Sequence, residues 1–264
     1  MTRHPRAVKS GVNALAENPW PNERSVLVIP LTCRLAPPLT SPLCHAQADS
    51  LIKRMSDDPS LSKAYDLKTP ADSVRLYRDW AETYDSGFVV DHGYELHARV
   101  AETFANAGGQ GPVLDIGAGT GLCGAVLKTL GIDALHATDI SPEMLAVAAR
   151  KGDYDSCITG DILAGLPIAD DTYAGAVSSG TFTHGHVGPA ALVEVLRVLR
   201  PGGLAVLSIN AAHYVDQGFD QAFERLRPGL SSLSFVDVPI YKDDAQGPNA
   251  KDTARLAIFR KSQG

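Results

Sequence analysis

The sequence predicts an α/β fold, a mostly parallel sheet covered by helices on both faces. Three observations predict it. From residue 73 onward, short apolar runs alternate with segments of helical period. The first run closes on a glycine-rich loop, "VLDIGAGTG" at 113–121. The chain has 264 residues, 44% hydrophobic and 20% charged, which suits one α/β domain with an extension.

The elements follow in order. Residues 73–84 and 92–107 read as helices. Then come strand 112–116, helix 120–130, strand 134–139, helix 142–151 and strand 154–158. Strand 173–179, helix 189–199 and strand 203–210 continue the alternation. Pro201-Gly202-Gly203 reads as a helix-to-strand turn, with Pro and Gly just past the helix end. Helix 216–226 and strands near 232–238 and 253–260 finish the chain. There are no internal repeats.

Residues 1–54 differ. They hold seven of the 17 prolines and one of the 24 glycines, with a net charge of +4 within a chain of net −6. Prolines spaced this way interrupt helices and sheet ladders alike. The segment reads as an irregular N-terminal extension, with the main domain at 55–264 and its leading helices at about 73–107. Met55 opens "MSDDPSLSKAYDL" like a natural start, so 1–54 is expected to be an extension that is not always translated, or else a flexible tail.

Composition excludes several classes. No dense Lys/Arg run marks a nucleic-acid backbone reader, and no nucleic-acid partner is expected. No apolar run approaches the ~18 residues of a membrane span, and "SVLVIPL" at 25–31 is too short and too far in for a signal peptide. Cys33, Cys44, Cys123 and Cys157 show no CxxC spacing and read as free thiols in a reducing compartment. The expected location is cytoplasmic, with no metal site. Oligomeric state is not legible.

The chemistry starts at the loop. In an open parallel sheet, ligands bind beyond the carboxyl ends of the strands, at the switch point. A P-loop needs a Lys after its glycines, and none follows here. A dinucleotide loop needs GxGxxG. Gly117 and Gly119 fit, but Gly121 falls one residue early and Leu122 takes its place. Asp115 would repel a pyrophosphate and welcome an ammonium or sulfonium. Asp139 ends the second strand about 20 residues on, where an acid binds ribose hydroxyls. Ile140 can pack on an adenine face. In "TGDIL", Asp161 and Ile162 can meet the adenine edge and face. Either acid could instead cap a helix, but Ser141-Pro142 already supplies the cap after Asp139.

"VLDIGAGTG", "ATDIS", "GDIL" and "LRVLRPGGLAVLSI" together resemble the ordered motifs of class I S-adenosylmethionine-dependent methyltransferases. The resemblance covers about residues 73–261. It implies a Rossmann-like class I methyltransferase sheet, mostly parallel with an antiparallel last strand beside the fifth, preceded by N-terminal lid helices. It implies S-adenosyl-L-methionine as cofactor. Asp115, Gly117, Gly119 and Gly121 would surround its methionine part, Asp139 its ribose, and Ile140, Asp161 and Ile162 its adenine.

"LYRDWAETYDSGF" places Tyr77, Trp80 and Tyr84 on one helix face. Such a stripe is often core packing. As a lid it would offer rings to a sulfonium and phenols to a carboxylate. "YRDWAETYD", "GTFTHGHVGPAALVEVLRVLRPGG" and the tail "VPIYKDDAQG…ARLAIFRK" resemble the methyltransferase-like proteins of the Williams–Beuren region. The loop "SSGTFTHGHVG" at 178–188 should border the transferring methyl. Ser179 or Ser178 can give a backbone carbonyl to the methionine ammonium. His184 and His186 form a close pair, and His184 is the candidate general base if one acts, the plainer reading being pocket lining.

The sequence is thus expected to encode a methyltransferase acting on an unidentified, small-molecule acceptor. No Asn-Pro-Pro-Tyr-type motif follows the fourth strand, which weakens nucleobase or glutamine amide methylation. Two alternatives stay open. An NAD-dependent oxidoreductase would prefer GxGxxG and no acid at 115. A non-catalytic nucleoside-binding module would lack an acceptor pocket.

Overall fold

A computed structural model describes residues 70–183 and 186–263. The readings for 1–54 and His184 lie outside the described residues. The opening helix is α1, Pro70–Trp80, followed by a wide helical turn over Asp85–Val89. Next come α2 (Leu96–Asn106), β1 (Val113–Ile116), α3 (Leu122–Thr129), β2 (Leu135–Asp139) and α4 (Pro142–Lys151). Then follow β3 (Ser156–Thr159), β4 (Tyr173–Phe182), α5 (Ala191–Val198), β5 (Leu199–Asn210), α6 (Ala211–Asp216), α7 (Phe219–Leu226), β6 (Leu230–Pro239) and β7 (Thr253–Lys261).

The seven strands lie in the order β3-β2-β1-β4-β5-β7-β6. The first five pair in parallel, and β7 runs antiparallel beside β5 and β6. The order reverses between β1 and β4, so the loops leaving those two strands flank one crevice. Strand β1 is wholly buried and sends alternate side chains to opposite faces. Val113 joins a core with Val100 and Phe104 of α2 and Leu127 of α3. Leu114 and Ile116 join another with Leu192 and Val195 of α5 and Phe219 and Phe223 of α7.

Helix α4 matches its predicted bounds because every end signal is present. Ser141 accepts from Met144 N, Pro142 opens the first turn, Arg150 and Lys151 sit in the last, and Gly152 ends it at φ 78°. Other elements differ from expectation. Helix α2 starts at Leu96 and buries Leu96, Val100, Ala101 and Phe104, so it belongs to the layer covering the sheet. Tyr77 and Trp80 belong to α1, and Tyr84 lies in the turn after it. Strand β4 runs to Phe182, beyond the expected 179. Its pairing with β5 shifts register between Ser178 and Phe182, which turns Ser179 to Thr181 toward the crevice. Pro201-Gly202-Gly203 is a second irregularity, inside β5: Tyr173 pairs Leu199 while Gly175 pairs Leu204.

Candidate functional site

Two adjoining cavities open at the switch point. The first encloses about 1100 Å³ counting its open mouth, and its wall runs along the ends of β1, β2 and β4. Asp115 stands on β1 with 1% exposure. Its Oδ2 accepts from the Tyr154 hydroxyl at 2.6 Å. Its Oδ1 has no hydrogen-bond partner among the described residues. Burial raises its carboxyl from an ordinary 3.8 to about 7; Tyr154 pulls it down, while the nearby Asp139 pushes it up. A half-satisfied buried carboxylate facing a cavity is a strong place for a ligand cation.

Asp139 has a different environment. Gly119 N donates to Oδ2 at 2.9 Å and Ser141 N to Oδ1 at 2.8 Å. Desolvation raises its carboxyl, and those two amides together with the Ile140 backbone oppose the shift. The cap of α4 belongs to Ser141, at 3.2 Å from Met144 N. Asp139 therefore ties the glycine loop to the β2 end while lining the cavity. Asp161 accepts from Leu163 N at 2.8 Å, closing its own turn. Ile140, Met144, Ile162 and Leu166 form an apolar end to the cavity.

The three loop glycines serve three purposes. A Cβ on Gly117 would lie 2.0 Å from Thr181 Oγ1, so β4 requires that glycine. A Cβ on Gly121 would meet Tyr154 at 2.9 Å and Ala148 at 3.2 Å, so α4 and the turn after it require that one. Gly119 sits at φ +55°, and a Cβ there would meet nothing within 4 Å. Only its face looks onto open space, as a loop that admits a ligand should.

The second cavity is about 610 Å³ with its mouth. Tyr77, Tyr84, Tyr94, Gly180 and His186 line both cavities and form their shared wall. Trp80 faces the second cavity. Tyr77 and Trp80 stack at 6.2 Å, Trp80 meets Tyr84 edge-on at 5.2 Å, and Tyr77 meets His186 edge-on at 5.6 Å. Burial pushes the phenols of Tyr77, Tyr84 and Tyr94 upward, so all three are neutral donors at physiological pH. The segment after α1 is tied to the glycine loop and α4. Asp85 accepts from Thr120 Oγ1 at 2.6 Å and pairs with Lys151, and Glu82 pairs with Arg150 at 2.7 Å.

Residues 114–207 match the model of the methyltransferase domain family. Over that span the chain is similar to class I S-adenosylmethionine-dependent methyltransferases. It is 30% identical over 152 residues to human methyltransferase-like protein 27, covering 55% of this chain and 60% of that one. It is 32% identical over 151 residues to the demethylmenaquinone methyltransferase of Renibacterium salmoninarum, covering 56% of this chain and 62% of that one. The matches span about three fifths of the length of these curated relatives. The Burkholderia thailandensis 1,6-didemethyltoxoflavin-N1-methyltransferase shares the fold, with a TM-score of 0.52 at 21% identity over 74% of this chain and 92% of that one.

The first cavity brings together Tyr77, Tyr84, Asp115, Gly117, Gly119, Asp139, Ile140, Asp161, Ile162 and Ser179. Gly121 packs behind the loop, and Trp80 serves the neighbouring cavity. Ser178 is fully buried and donates to Ile116 O at 2.7 Å, while Ser179 lines the first cavity and pairs with the Tyr94 hydroxyl at 3.0 Å. Four contributors had no sequence signal: Tyr94, His97, Tyr154 and Tyr241. His97 opens α2, stacks on Tyr94 at 5.5 Å and lines the first cavity. Burial lowers its imidazole, and Lys151 adds to this against Asp85 and Glu95. No helix among the described residues is long and apolar enough to cross a membrane.

Proposed function

We propose that this chain is a methyltransferase that binds S-adenosyl-L-methionine in the first cavity and methylates a small molecule held in the second. The observation that supports this most is that the two cavities adjoin, with Tyr77, Tyr84, Tyr94, Gly180 and His186 lining both. Bound there, the cofactor supplies a methyl group already activated on a sulfonium. The chain's part is alignment and exclusion of water.

Asp115 Oδ1, buried without a partner, meets the ammonium of the methionine part, and Ser179 offers a carbonyl beside it. The open face of Gly119 lets the backbone approach that tail. Asp139 takes the ribose hydroxyls. Ile140 and Ile162 cover the adenine faces, and Asp161 accepts from its amino group. Tyr77 and Tyr84 turn rings toward the sulfonium side. A small-molecule acceptor is supported by the concave, largely aromatic lining of the second cavity. The relative from Renibacterium is named for a small quinone-type acceptor, which supports the same class. Calorimetric titration with S-adenosylhomocysteine, followed by a metabolite-extract screen with labelled cofactor, tests the proposal. Binding plus label in a low-mass compound is expected. Label in protein or nucleic acid would overturn the acceptor class.

A further inference from the structure

The walls of the second cavity specify more than size. Six aromatic rings line it: Tyr77, Trp80, Tyr84, Tyr94, Phe182 and Tyr241. Among the described residues that line it, none is Asp, Glu, Lys or Arg. From these walls we infer that the methyl acceptor is an uncharged, flat, aromatic small molecule carrying an oxygen that accepts a hydrogen bond. The inference rests on the methyltransferase reading and adds the acceptor's chemistry to it.

Each part follows from a contact. A carboxylate or phosphate on the acceptor would lose its hydration in a cavity whose described lining holds no Lys or Arg, only the His186 imidazole among its rings. A protonated amine is also unsuited. Aromatic faces would hold the ammonium form by cation–π attraction, and an ammonium has no lone pair to accept a methyl. Flatness follows from the rings themselves. Tyr77 stacks with Trp80 at an interplanar angle of 23°, and Tyr84 closes on Trp80 at 84°. Tyr94 and Tyr241 stand edge-on at 6.2 Å on the other side. Offset stacking and edge contacts both favour another aromatic ring.

The polar groups set the last requirement. Asn210 caps α6, with Oδ1 accepting from Ala212 N at 3.0 Å and His213 N at 3.2 Å. Its oxygen is committed, so the amide N–H groups are what it can offer a ligand. Ser208 Oγ accepts from Gly180 N at 3.0 Å, leaving its own hydroxyl proton to donate. The Tyr77 phenol, kept neutral by burial, adds a further donor. A carbonyl, ether or hydroxyl oxygen satisfies these groups, and a hydrocarbon does not.

The test uses the full chain and begins with S-adenosylhomocysteine. Absence of its binding would overturn the methyltransferase reading itself. With that ligand saturating, calorimetry then compares 2-naphthol with 6-hydroxy-2-naphthoate and the saturated analogue 2-decalol. Naphthol is expected to bind at least tenfold tighter than either. Thr183→Lys places a cation in the second cavity only. It is expected to move the naphthol-to-naphthoate ratio by at least tenfold toward the carboxylate while S-adenosylhomocysteine affinity stays within twofold, which also shows that the variant folds. Equal or tighter binding of any charged or saturated analogue would overturn the inference. So would an unmoved ratio in Thr183→Lys, or no binding of 2-naphthol by a chain that holds S-adenosylhomocysteine.

Discussion

The two cavities share a wall but are assembled by different rules. The first takes its polar groups from strand ends and the turns just after them: Asp115, Asp139 and Asp161. It is acidic, and its loop amides and carboxylates hold one another in place. The second takes rings from α1, the turn that follows it, β4 and the segment beyond β6, with no charged side chain among its described lining. On the proposed function, the first half recognises a charged ligand that carries hydroxyls and the second an uncharged acceptor.

Asp139→Ala is the strongest challenge to this contrast. Losing two charge-assisted hydrogen bonds, each worth about 1.5–3 kcal/mol, should weaken cofactor binding at least tenfold by calorimetry. Binding of 2-naphthol should change less than twofold. Equal losses in both would mean that the cavities are one energetic unit.

Asp115→Asn comes next. The carboxyl sits near 7, well above its ordinary 3.8, so the folded state keeps a proton that the unfolded chain releases. Stability is then expected to fall as pH rises from about 4 to about 7, and to stay lower above that. The variant should remove this slope and be more stable at pH 8, on the order of a few kcal/mol by urea unfolding. Ligand binding should move the other way. Affinity of the wild type for the cationic cofactor should rise about tenfold between pH 6 and 8 as Asp115 ionises, and the variant should be flat.

Tyr154→Phe sharpens the same point with a smaller effect. It removes the hydroxyl that donates to Asp115 Oδ2 and accepts from Gly124 N at 3.1 Å. The midpoint of the pH-dependent binding should move upward by about one pH unit. Glu82→Gln should matter least. The Glu82–Arg150 pair is 76% and 56% exposed, so unfolding free energy should change by less than about 0.5 kcal/mol.

The contrast also explains what was legible. Asp115, Asp139 and Asp161 each stand at a strand end or in the turn that follows, so an apolar run followed by an acid locates them in sequence. The same logic placed Ile140 and Ile162. The glycines were legible as a loop but not by role: two of the three answer to Thr181 and Tyr154, residues 33 or more positions away, which local pattern cannot reveal. The second cavity was nearly silent. Tyr241 reaches it because an isolated bridge joins it to Tyr94, across about 150 residues of chain. Asn210 looks like an ordinary helix cap, and it is one. Ser208 looks like an interruption in an apolar strand. Only the sheet order, with β4 and β5 adjacent, brings them into one cavity with the rings of α1. The extension of β4 to Phe182 had a similar cause, since a register shift carries no compositional mark.

The most direct test of the central claim is a paired titration of the full chain with S-adenosylhomocysteine and NAD at pH 7.5, repeated on Asp139→Ala. The account predicts saturable binding of S-adenosylhomocysteine, at least tenfold weaker in the folded variant, and no measurable heat with NAD. Binding of NAD without S-adenosylhomocysteine, or an unchanged affinity in Asp139→Ala, would contradict it.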